Sequence, residues 1–164
     1  MSMEQAIITW IHLVSAAVWV GGSLFIGAVL APILKKMSMT LEERIQMMVT
    51  VGRRFNKIAV PSLIILVVTG LYNSISVLSN PDLLFGTSYG SFLFIKILLV
   101  IALIIVFAVH VRIIRKEVED KIVSKEMTQA QIQKLRKKII ILGEIIVILS
   151  VTILFFAALL DSGV

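Results

Sequence analysis

Four stretches decide what this 164-residue chain can fold into: Ala6–Leu34, Ile58–Leu78, Phe92–Ile114 and Ile139–Leu160. Each is apolar nearly throughout, and roughly 20 apolar residues in a helix cross the ~30 Å hydrocarbon core of a bilayer. Composition agrees. The chain is 59% hydrophobic and 16% charged, against about 45–50% and about 25% in soluble domains. So little charge cannot cover a water-facing surface. The chain has no cysteine, which excludes a disulfide framework, a thiolate metal site and a cysteine nucleophile. The expected fold is all-α, an integral membrane four-helix bundle forming one domain over 1–164.

The basic residues fall into two gaps. Lys35, Lys36, Arg44, Arg53, Arg54 and Lys57 lie between the first and second stretches. Arg112, Arg115, Lys116, Lys121, Lys125, Lys134, Arg136, Lys137 and Lys138 flank or fill the gap between the third and fourth. The N-terminus, the 79–91 loop and the C-terminus carry only Glu4, Asp82 and Asp161. The positive-inside rule then predicts a multi-pass protein of the cytoplasmic (plasma) membrane, with both basic loops inside and both termini outside. The net charge of +6 reads as this topology signal, with attraction to anionic headgroups of the lipid bilayer, and not as a nucleic-acid surface. The first stretch is too long for a signal-peptide core and follows a leader without positive charge, so it is expected to stay as a span.

The basic loops carry helix signals. Thr40-Leu-Glu-Glu43 and Thr128-Gln-Ala-Gln131 both fit capping boxes, in which a Thr hydroxyl and a later acid or amide satisfy the first free N–H groups. The second and fourth helices are therefore expected to start inside the cytoplasm and run on into the bilayer. Pro61 would kink the second. The 79–91 loop has turn chemistry instead: Ser79-Asn-Pro-Asp82, then Gly86 and Gly90.

Ionisable residues inside a bilayer are costly and so become site candidates. At about 1.5 Å of rise per residue, His12 lies about 9 Å and Lys96 about 6 Å below the outer boundary, and Thr69 and Asn73 reach the same level on the second helix. Tyr72 and Tyr89 fall near the mouth of such a site. On the first helix, His12, Ser15, Ala16, Trp19 and Gly22 share one face, whose small residues admit a partner helix or a flat cofactor. The candidate binding residues are thus His12, Lys96, Asn73 and Trp19. His110, about 27 Å along the third span, and Glu144 on the fourth form a second, weaker pair near the cytoplasm. Straight helices separate His12 from His110 by roughly 18 Å of depth, too far to share one ion. No residue stands out as catalytic.

Several segments resemble one family. Ile11-His-Leu-Val-Ser-Ala-Ala-Val-Trp-Val-Gly-Gly22 resembles the first helix of the copper resistance protein D (CopD) domain. Arg53-Arg-Phe leading to Val68-Thr-Gly-Leu71 looks like its second helix, and Thr87-Ser-Tyr-Gly90 followed by Leu93-Phe-Ile-Lys96 looks like the entry to its third. The resemblance runs from Ile11 to Arg115, with the fourth span matching in character alone, and implies a copper-handling or copper-transport membrane protein. The same places are similar to the HemJ-type protoporphyrinogen oxidases, whose His–Lys pair implies heme b held by His12 and Lys96. The chain departs from that pattern at Ala31-Pro-Ile-Leu34, where the family continues with Pro-Arg and a further His.

Copper and heme b are therefore the two cofactor expectations, each placed on His12 and Lys96, with His110 as the weaker metal candidate. Cu(I) favours thiolate and thioether ligands, and no methionine lies inside any of the four stretches. A homodimer, an extracellular or periplasmic copper protein and an electron-transfer partner are the protein partners these readings imply. A purely structural four-helix protein would leave Lys96 in the headgroups and His12 merely hydrogen-bonded.

Overall fold

The computed structural model describes residues 2–163, which are helical apart from short connections, with no strand among them. Helix α1 covers Met3–Leu24, started by Ser2, whose side chain accepts the Gln5 N–H. It widens into a π-helical turn at Phe25–Leu30 and resumes as α2, Ala31–Lys36. Pro32 gives this turn its reason. A proline ring collides with the carbonyl four residues back and supplies no N–H, and lipid offers no water to repair the ladder. Opening one turn, with the Ala31 N–H on the Ile26 carbonyl, lets the helix continue past the proline.

Helix α3 runs over Leu41–Leu78 and α7 over Gln129–Asp161, each beginning well before its apolar stretch. Both capping boxes form. The Thr40 N–H donates to Glu43 Oε2 at 2.8 Å and the Thr128 N–H to Gln131 Oε1 at 2.9 Å, while the two hydroxyls accept the N–H groups of Glu43 and Gln131. Pro61 sits inside α3. Between them lie a short α4 (Pro81–Gly86), the long α5 (Ser88–Ile113) and the amphipathic α6 (Lys116–Val123). Four helical segments are long and apolar enough to cross a membrane, and residues such as Trp10, Leu13, Ile64, Val68, Ile105 and Ile148 face outward along them.

The long helices pack as two pairs, α1 on α3 and α5 on α7, with α7 also touching α1 and only sparse contact between α3 and α5. One end of the bundle carries the start of α1, the end of α7 and α4; the other carries the basic loops. Two apolar cores result. Trp19, Val20, Ala59, Leu103, Phe107 and Ile146 fill the middle, and Ile45, Val49, Ile114, Ile122, Ile132, Leu135 and Ile139 close the basic end. Gly22, on the small-residue face of α1, is where the Phe55 ring of α3 presses in, leaving no room for a Cβ. That part of the face serves helix packing.

The α4–α5 junction accounts for the Thr-x-Tyr-Gly motif. Thr87 Oγ1 accepts the Gly90 N–H at 3.0 Å and donates to the Leu83 carbonyl at 2.5 Å. Gly90 lies so close under the carbonyls of Leu83 and Leu84 that a Cβ would overlap backbone, not a movable side-chain tip. Gly90→Ala is therefore expected to cost at least the about 1–3 kcal/mol typical of overpacking, seen as a lower thermal midpoint in detergent. Gly86→Ala, where a Cβ meets nothing within 4 Å, is the matched control and leaves the midpoint in place.

Candidate functional site

All four long helices line one cavity of about 340 Å³ toward the termini end. α1 contributes His12, Ala16, Trp19 and Val20, α3 a stripe from Leu63 to Leu78, α5 residues from Leu93 to Ile104 including Lys96, and α7 Ser150, Ile153, Leu154 and Ala157. The walls are almost wholly apolar. Among the described residues, His12 and Lys96 are the only lining ones with an ionisable side chain, and no carboxylate is among them.

The hydrogen bonds favour one state of the histidine. The Thr69 hydroxyl has one proton and donates it to the Ile65 carbonyl at 2.6 Å. It can then only accept from His12 Nδ1, 2.6 Å away. A neutral imidazole so held carries its proton on Nδ1 and its lone pair on Nε2, which has no hydrogen-bond partner among the described residues. This is the arrangement that prepares a histidine to ligate a metal, with a second group setting tautomer and ring orientation. Trp19 repeats the device one level deeper. Its indole N–H donates to Ser150 Oγ at 2.9 Å, and that hydroxyl donates to the Ile146 carbonyl at 2.7 Å. The Trp19 ring meets Phe107 edge-on, with centroids 4.8 Å apart, and closes the cavity floor.

His12, Trp19 and Lys96 are thus brought together, and Thr69 is where the depth count put it. Asn73 is not with them. It is exposed and does not line the cavity, where Gly70 and Ser74 take the places on α3. On the helical wheel Asn73 falls between Thr69 and Gly70, the two α3 residues beside His12, but it lies one turn farther along α3, where it is exposed. Tyr72 and Tyr89 are likewise exposed and outside the lining. His110 lies one turn beyond Phe107 toward the basic end, its Nδ1 buried and without a hydrogen bond, while Glu144 is exposed. The two do not pair. Ser150 escaped notice in the sequence because a serine in an apolar run looks the same on any face of its helix.

The basic end has a separate polar group. Glu119 on α6 accepts from Thr50 at 2.6 Å and lies 2.6 Å from Arg53 Nη2, both on α3. With Met39, Met47 and Glu43 it borders a cleft of about 520 Å³. Among the described residues there is no group of three or more His, Cys, Asp or Glu that could hold a metal.

The family model for Copper resistance protein D matches residues 49–160. The chain belongs to that family. The match takes in α7, for which the sequence offered no motif, and leaves out α1, so Lys96 lies inside the matched stretch and His12 before it. Over 108 residues the chain is 31% identical to "Copper transport protein CutJ" of Bacillus subtilis (strain 168), covering 66% of this chain and 19% of that protein. The chain thus corresponds to about a fifth of that relative. No solved structure matches. Membership of the CopD family together with four long apolar helices makes this a multi-pass membrane protein.

Proposed function

We propose that this CopD-family chain handles copper in the plasma membrane, with both termini outside and the cavity at His12 and Lys96 as its station for the ion. The observation that carries the reading is the Thr69–His12 hydrogen bond, which leaves Nε2 as a free nitrogen donor. Imidazole suits copper, and the name of the B. subtilis relative points to the same cargo. Lys96 is the second nitrogen on the wall. An amine ligates only after losing its proton, so copper and a proton compete there. The other coordination positions fall to ligands that travel with the ion. An extracellular copper protein is the partner this orientation implies, meeting the end that carries the termini.

Heme b is the second reading, and the cavity serves it less well. If Lys96 becomes an axial ligand, no basic residue is left on the walls to neutralise the two propionates. The spectrum and metal content of the purified protein test the two together. Copper retained after dialysis without a Soret band supports the proposal, whereas a Soret band that disappears in His12→Ala replaces it with heme.

The orientation is tested in intact cells. With no cysteine in the background, single cysteines at Ser2, Ser79 and Ser124 are exposed to an impermeant thiol reagent. Positions 2 and 79 should label and 124 should not, because the basic loops lie inside. Labelling at 124 with protection at 2 and 79 inverts the topology.

A further inference from the structure

The cavity is open sideways. Leu71 on α3 and Ile101 on α5 both line it, yet they are 51% and 49% exposed on the outside of the bundle. α3 and α5 touch only sparsely. An apolar cavity that opens between two lipid-facing helices fills with what the bilayer offers. Along α5 its lining runs from Leu93 to Ile104, about 16 Å of helix, close to the hydrocarbon depth of one leaflet at roughly half of ~30 Å. At the shallow end stands Lys96, with no carboxylate on the walls to balance it. Arg53 with Glu119, at the far end of the bundle, is the ion pair found among the described residues.

We propose that, in the copper-free protein, one acyl chain of an anionic phospholipid enters between α3 and α5 and lies in this cavity, with its phosphate on the Lys96 ammonium. Apolar walls fit the chain, the lateral seam admits it from the membrane, and the unbalanced cation selects the head. This goes beyond the copper reading and does not depend on it, since the ammonium form of Lys96 binds the phosphate and His12 takes no part.

Trp19 is a built-in reporter, 2% exposed and on the cavity wall. Trp10, 64% exposed on the outer face of α1, is removed by Trp10→Phe. That protein is reconstituted, with chelator present, into phosphatidylcholine vesicles containing either brominated-chain phosphatidylglycerol or brominated-chain phosphatidylcholine. Bromine quenches indole only near contact. Brominated phosphatidylglycerol should quench Trp19 at a several-fold lower mole fraction than brominated phosphatidylcholine. Lys96→Gln should abolish that preference and Lys96→Arg should keep it, while Val100→Phe, which fills the cavity, should reduce quenching by both lipids. Three results overturn the proposal: no quenching of Trp19 by either lipid, equal quenching by both, or a preference that survives Lys96→Gln and so belongs to the basic loops. Copper titration reads the other proposal separately, so either can fail alone.

Discussion

Replacing His12 by alanine is expected to abolish copper retention, and replacing Thr69 by valine to weaken it by about 10–100-fold, the usual cost of losing a group that orients a metal-bound histidine. The two losses have different causes. His12→Ala removes the free Nε2, whereas Thr69→Val keeps the imidazole and removes the acceptor that holds its proton on Nδ1. Thr69→Ser retains the hydroxyl and should restore most of the affinity. Lys96→Ala should weaken binding, Lys96→Met should restore part of it by offering a thioether, and His110→Ala should leave it unchanged, because His110 lies beyond Phe107 and outside the cavity. The measurement is copper content after gel filtration, backed by a competition titration against a chelator. Should His110→Ala remove the copper while His12→Ala does not, the station lies at the basic end and the proposed site is wrong.

Trp19→Ala is expected to be the most destabilising single change in the membrane-spanning part. Trp19 is among the largest buried side chains and joins α1 to both α5 and α7 through Phe107 and Ser150. Truncating a buried tryptophan to alanine costs about 3–5 kcal/mol, while an interhelical hydrogen bond in a membrane averages about 0.6 and reaches at most about 1.7 kcal/mol. Packing therefore dominates. Ser150→Ala should cost no more than the hydrogen bond, and Trp19→Phe should fall between the two. Thermal unfolding in detergent, followed by circular dichroism, gives the ranking. A Ser150→Ala protein as unstable as Trp19→Ala would show that the polar contact and not the ring holds the floor together.

The divide between what could be read from the residues and what could not follows the geometry of helices. Length and polarity along the chain set the four membrane-crossing helices, because a bilayer has a fixed thickness and admits no unpaired backbone. The capping boxes at Thr40 and Thr128 were legible for a similar reason, being local hydrogen bonds within one turn. Position along each helix was legible too. Counting residues placed His12, Thr69 and Lys96 at one level, and the structure puts His12 on Thr69 and on the same cavity wall as Lys96. Phase around the helix axis was not. It depends on which neighbour each helix packs against, and that turns Ser74 and Ser150 onto the cavity wall. The same limit applied to His110 and Glu144, which are close to one level yet do not meet. The π turn before Pro32 belongs with these, since a proline in an apolar run states that the ladder must give way but not how. Sequence alone determined how far along its helix each group sits, because that distance is a sum of fixed rises. Tertiary structure decided which groups face one another, because azimuth is set by contacts between helices far apart in the chain.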